Sequence, residues 1–316
     1  MMGLMNPYIA GSLSLPEDSM IITDDNRISK RLCGDLSFVA DLPNDGSATP
    51  FGNDRFRTPG NVTSDGTYIY VADGSDINAP DGNHRIVKRL CSDLSYNSQI
   101  GTKGSGNDEF YAAFGITNDG TNLYIVDTYN NRLVKRLCSD LSYVSQIGSP
   151  GSGNDQFSSP RSIATDGTYL YVMDSWNHRV VKRRCDDLSY VSKIGVWDSS
   201  GDDAFMYPQG ITTDDVYIYV ADTENNRIHK RLCSNLSHVS HIGTVGTGND
   251  QFSSPRGIAT DGTYIYVADT NNNRIVKRLC SDLSYDSKIG SAGGAPFAPN
   301  SFSSPCGITC IMGSRV

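Results

Sequence analysis

No apolar run in this 316-residue sequence approaches the roughly 18 residues of a membrane span, so a membrane-crossing helix is not expected. Basic charge is in deficit: 27 Lys and Arg against 35 Asp and Glu give a formal net charge of −8. A protein that binds nucleic acid by neutralising phosphates needs the opposite balance, so a nucleic-acid partner is not expected either. Histidine and tryptophan are scarce, at five and two residues. No HExxH or Cys-x-x-Cys spacing offers a metal-ligand set, and no nucleophile elbow is present. The chain therefore reads as a non-enzyme sooner than as an enzyme. Its start, MMGLMNPYIAGSLSLPEDSM, lacks the charged-then-apolar layout of a secretory signal, which favours a cytoplasmic location or incorporation into a particle.

What the sequence has in abundance is itself. The stretch SSPRGIATDGTYIYVADTNNNRIVKRLCSDLSY at Ser253–Tyr285 is nearly repeated at Ser158–Tyr190, and looser copies fill the rest. Phe56, Phe110, Phe157, Phe205, Phe252 and Phe302 mark the copies, 47 to 54 residues apart. That period fits propeller blades or helical solenoids, and the pattern inside the unit excludes helices. GIATD is a short apolar strand closed by a DG turn. TYIYVAD alternates and is rich in β-branched and aromatic residues, as a strand should be. RIVKRLC is a third strand, SDLS a turn and YVSQIG a fourth. Four antiparallel strands per unit is the blade of a propeller.

The two ends complete one blade between them. FSSPCGITCIMGSRV supplies a first strand, and SMIITDDNRISKRLCGDLSFVADL supplies the second, third and fourth. The expected architecture is all-β: a six-bladed propeller over residues 18–316, closed by its termini, with residues 1–17 as a lead or contact arm. The unit SPRGIATDGTYIYVADTNNNRIVKR resembles the NHL repeat, with its Pro, Gly-Ile strand, Asp turn, Tyr-Val-Ala-Asp strand and Asn-Arg-Ile strand. The resemblance covers essentially the whole propeller region, although the units here are longer through linkers such as GSPGSGNDQF. It implies a six-bladed ring, and a family that includes peptide, protein and RNA binders and a minority of enzymes, so it constrains fold more than function. NHL-like lyases hold a metal on channel histidines, and no histidine stands on the inner strands here.

Residues present in every copy read as scaffold. Cys33, Cys91, Cys138, Cys185, Cys233 and Cys280 share one repeat position, a blade-width apart and too far for disulfides, and read as small buried hydrophobes. Asp73, Asp127, Asp174, Asp222 and Asp269 end the second strand, and Arg85, Arg132, Arg179, Arg227 and Arg274 open the third, as pairs bracing a hairpin. The Lys-Arg pairs of the third strands, such as Lys135-Arg136, are expected to form a solvated rim, with an anion-binding surface as the alternative. Asp93, Asp140, Asp187 and Asp282 stand nearby as their partners. The linker aspartates Asp54, Asp108, Asp155 and Asp250 are expected to cap connecting loops by Asx turns.

Function is sought where the copies disagree. The residue after the repeat proline reads Gly60, Phe114, Arg161, Gln209, Arg256 and Cys306 around the ring. This position is expected near the mouth of the central channel. The loop between second and third strands opens on the same side and carries Tyr129, Trp176, Glu224 and Asn271. Tyr111, Phe114, Tyr129, Arg161, Trp176, Gln209 and Arg256 are therefore the candidate binding residues, since aromatics flanked by Arg commonly anchor interfaces. Trp197, Met206 and Tyr207 extend the patch. The insertion GSDINAPDGNH groups Asp73, Asp76, Asn78 and Asp81, a Ca²⁺ candidate whose spacing does not match an EF-hand; otherwise no cofactor is expected. The expected function is a non-catalytic binding or assembly module for a protein or peptide partner, a variant of which is a self-assembling structural subunit of a larger particle or appendage. The competing class is a channel-centred, metal-dependent lyase-like or hydrolase-like enzyme, or a small-ligand or carbohydrate binder.

Overall fold

The computed structural model describes residues 19–24, 27–33, 38–42, 56, 59–74, 83–198, 200–290 and 302–311. Six four-stranded antiparallel sheets stand around one axis. Blade one comprises Pro59–Ser64, Tyr68–Asp73, Arg85–Leu90 and Tyr96–Ile100. Blade two comprises Ala113–Asn118, Asn122–Asp127, Arg132–Leu137 and Tyr143–Ile147. Blade three runs through Ser162–Thr165, Tyr169–Asp174, Arg179–Arg184 and Tyr190–Ile194. Blade four runs through Gly210–Thr213, Tyr217–Asp222, Arg227–Leu232 and His238–Ile242. Blade five is Pro255–Thr260, Tyr264–Asp269, Arg274–Leu279 and Tyr285–Gly290. Blade six takes its inner strand, Pro305–Ile311, from the C-terminal side and Ser19–Asp24, Arg27–Leu32 and Phe38–Leu42 from the N-terminal side. Ser19 pairs with Ile311 and Ile22 with Ile308, so the chain ends close the ring as their sequences require.

In four of the six blades the inner strands sit so close that one position has no room for a side chain. A Cβ on Gly210 would fall 1.9 Å from the Arg256 carbonyl, and one on Gly257 would fall 2.6 Å from that of Cys306. Between neighbouring blades the apolar faces of the second and third strands fuse into six clusters, each spanning one blade boundary. The marker phenylalanines are buried in them. The six repeat cysteines are free and buried, as expected of small hydrophobes.

The Lys-Arg pairs correct the sequence reading, because they form neither a solvated rim nor an anion-binding surface. Lys88, Lys135, Lys182, Lys230 and Lys277 are buried with their arginine neighbours. Each lysine reaches across the blade boundary to the carbonyl of the next repeat cysteine. Lys135 Nζ donates to Cys185 at 2.8 Å, Lys230 to Cys280 at 2.7 Å and Lys277 to Cys33 at 3.2 Å. Lys30 completes the circle at Cys91, 2.9 Å away. The arginines hold their own blade: Arg183 Nε donates to the Leu188 carbonyl at 2.6 Å, and its Nη2 reaches Asp155 at 2.6 Å. The linker aspartates Asp108, Asp155 and Asp250 are thus arginine partners rather than loop caps. Asp93, Asp140, Asp187 and Asp282 accept the N–H two residues on, in their own turns. Third strands are packed on both faces by neighbouring blades, so alternation does not expose either side chain.

The Asp–Arg braces are present in all five expected blades, at 2.6 to 2.9 Å, with both partners buried. In blade three, Asp174 also accepts the Ser158 N–H at 2.7 Å, while Arg179 donates to the carbonyls of Ser152, Gly153 and Gln156. The glycine-rich linker is therefore folded around a guanidinium. Among the described residues, no helix is long and apolar enough to cross a membrane.

Candidate binding face at the channel mouth

The residue after the repeat proline is positioned by its backbone at the start of the inner strand. Arg161 and Gln209 donate their N–H groups to Met173 and Ala221 in the second strand. In blades one, two and five the strand register shifts at this point, and such a bulge re-aims a side chain without breaking the sheet. All six residues at this position, Gly60, Phe114, Arg161, Gln209, Arg256 and Cys306, line one cavity of about 310 Å³, together with Tyr129. The convergence expected from the repeat alignment is what the ring produces. Arg161 lies with its guanidinium carbon 5.3 Å from the centre of the Phe114 ring, a cation–π distance. Two guanidiniums, of Arg161 and Arg256, are among the described lining residues.

Below the mouth the channel narrows. Asn61 and Ser162 stand where blades two, four, five and six have glycine. Asn61 Nδ2 donates to Ser162 Oγ at 2.8 Å, linking non-adjacent blades one and three. Asn61 also borders the second cavity, about 170 Å³, which is ringed by threonines including Thr117, Thr165, Thr212 and Thr260. Sequence reading missed this waist. Its only signal is that two copies replace glycine with a hydrogen-bonding residue at the tightest point of the ring.

The remaining candidate aromatics fall into two groups around the rim. The rings of Tyr111 and Tyr129 pack at a tilt, 5.2 Å apart, with His84 at 5.6 Å and Lys103 Nζ 4.8 Å from the Tyr111 ring. Trp176 is not among the residues lining the cavity and meets Tyr207 edge-on at 6.0 Å. His178 joins that group, 4.6 Å from Tyr207 and 6.0 Å from Trp197. Trp176 and Trp197 are 58% and 70% exposed, which is unusual for the largest apolar side chains. The two histidines serve the ring: His84 Nδ1 accepts the Ala112 N–H and His178 Nδ1 that of Tyr207, each at 3.1 Å. Asn131, Asn226 and Asn273 make the same bond in other blades. Burial holds both imidazoles below their ordinary pKa, Lys103 adding to this at His84 and Asp222 opposing it at His178.

Of the Ca²⁺ candidate, Asp73 gives its carboxylate to Arg85 at 2.9 Å and Asn83 at 2.7 Å, like its counterparts. Asp76, Asn78 and Asp81 lie outside the described residues, as does the 1–17 lead.

The sequence profile of the LVIVD repeat matches residues 159–181 and 254–276, the corresponding parts of blades three and five. No curated protein matches the chain. Among solved structures, a chain of a nidogen/laminin complex superposes with a TM-score of 0.65 at 14% identity, covering 94% of this chain and 99% of that one. A functionally unknown protein from Desulfotomaculum acetoxidans DSM 771 superposes with a TM-score of 0.55 at 16% identity, covering 90% and 83%. At these identities the likeness bears on the fold alone, and it agrees with the propeller described above.

Proposed function

We propose that this protein is a non-catalytic docking module that holds a protein partner on its mouth face. The observation that carries this reading is the convergence of six dissimilar side chains on one opening, two of them arginines, in a chain of net charge −8. A locally cationic bowl in an acidic protein selects an acidic projection, and Arg161 and Arg256 are its anchors. The exposed Trp176 and Trp197 supply the apolar contact beside it. The clamped ring makes the face preformed, so association involves little backbone change. Support by analogy comes from the nidogen/laminin complex, in which a propeller of this shape was solved with a protein partner. The finer likeness to NHL units rests on the repeat residues alone.

The waist favours one second reading. A cavity of about 310 Å³ bordered by Asn61, whose amide bonds Ser162, is at the small end of ligand sites and would take a free carboxylate-bearing molecule. Wild type, Arg161→Ala/Arg256→Ala and Trp176→Ala/Trp197→Ala propellers, used as baits in extract of the source cells, separate these. A protein retained by wild type and lost from both variants supports docking; equal retention on all three overturns it. Loss of small-acid binding from the arginine variant alone, with no protein retained by any bait, supports the second reading. Light scattering across a concentration series reads the self-assembly form of the proposal, in which the partner is another copy.

A further inference from the structure

We propose that the outer hairpin of blade four is a binding site for a divalent transition-metal ion of the zinc class, ligated by His229, His238 and His241. Three of the five histidines in the chain stand on this one hairpin. At the matching positions blade five has Val276, Tyr285 and Lys288. Blade four thus departs from the repeat three times, each time to histidine, at places that one fold brings together.

The strand register explains how residues nine and twelve apart meet. His229 on the third strand lies directly opposite His241 on the fourth. The bulge between Lys230 and Arg231, shared by all six blades, inserts one residue into the outer strand. The His238 ring is thereby 5.5 Å from that of His241 and 6.1 Å from that of His229. One ring nitrogen of each histidine lies within 4.8 Å of the others'. His238 Nε2 and His241 Nδ1 are 3.4 Å apart, close to the edge of about 3.3 Å that two nitrogens span on a tetrahedral zinc with bonds near 2.05 Å. The remaining approach needs movement of His241, whose side chain is 39% exposed.

The second nitrogens are also arranged as a metal site requires. His229 Nε2 lies 3.3 Å from Asp222 Oδ2, and His238 Nδ1 lies 3.5 Å from Asp202 Oδ2. A carboxylate on the far nitrogen orients a ligating imidazole and fixes its tautomer. His229 is fully buried, and with Nε2 toward Asp222 its Nδ1 has no hydrogen-bond partner. A buried acceptor left empty is costly, and a metal ion satisfies it. A site of three imidazole nitrogens suits zinc better than calcium or magnesium. This site is separate from the mouth face, since none of the three histidines lines that cavity.

The test uses the full chain, freed of any polyhistidine tag and treated with chelator. Zn²⁺ is titrated calorimetrically and Co²⁺ by visible absorption. The expected result is one equivalent bound with micromolar or tighter affinity and the strong ligand-field bands of tetrahedral Co²⁺, without thiolate charge transfer. The variant His238→Tyr/His241→Gln restores residues that blade two carries as Tyr143 and Gln146, so it should melt as wild type does without metal. Its affinity should fall about 100-fold or more, and Asp202→Asn should lose about 10-fold. Absence of binding to wild type, equal binding by the double variant, or a thiolate signal from the cysteines would each overturn the proposal.

Discussion

Blades four and five share a backbone and differ in what they are for. At matching positions they make the same bonds: Asp222–Arg227 and Asp269–Arg274 brace the hairpin, and Arg231 and Arg278 hold the carbonyls of Leu236 and Leu283. Lys230 and Lys277 clamp the next blade. Where blade five has Val276 and Ser253, blade four has His229 and Met206, and where blade five has Tyr285, blade four has His238. Recurring residues are those with a partner one blade or one linker away. Departing residues such as His229, His238 and Met206 lie on the outer hairpin or the mouth loops.

The largest effect should come from breaking a recurring bond. Asp174→Ala leaves the buried Arg179 guanidinium unpaired and should cost about 3–5 kcal/mol in chemical denaturation. Trp176→Ala, two residues on and exposed, should stay within about 0.5 kcal/mol. Gly210→Ala comes next, at about 1–3 kcal/mol, because its Cβ meets the Arg256 carbonyl. Tyr124→Phe removes a hydroxyl bonded to Asp119 at 2.7 Å and lying 3.1 Å from the Cys185 carbonyl, and should cost about 1–2 kcal/mol.

A smaller, pH-dependent effect separates the two kinds of latch. His84 and His178 have pKa values lowered from 6.5 by burial, so between the lowered values and 6.5 the unfolded chain binds more protons. Stability therefore rises with pH across that window and is lost as pH falls below it. Melting followed between pH 7.5 and 5.5 should show this loss, reduced in His84→Asn/His178→Asn, which restores the residue of blades two, four and five. An unchanged pH profile in that variant would remove the histidine latches from the account.

Much of this was legible before any coordinates. The period near 47, the alternation of TYIYVAD and the complementary chain ends carry the six-bladed ring, because each is a local property repeated in register. The convergence of Phe114, Arg161, Gln209 and Arg256 on one mouth follows from the same register. The Lys-Arg clamps were not legible, since Lys135 finds its carbonyl 50 residues on at Cys185, and burial between blades hides the strand's polar face. The histidine cluster was missed because ligand spacing was sought along the chain. Its nearness depends on pairing His229 with His241 across a hairpin, a register that the other copies already display.

One chimera tests the division between recurring and departing residues most directly: residues 196–242 replaced by the sequence of 244–289, so that blade five and its linker stand twice. Every clamp is kept and every blade-four departure is erased. Calorimetric melting with and without Zn²⁺ is the measurement. The account predicts that the metal-free chimera melts within a few degrees of wild type and that Zn²⁺ raises the melting temperature of wild type alone. A chimera that fails to fold, or one that zinc still stabilises, would contradict it.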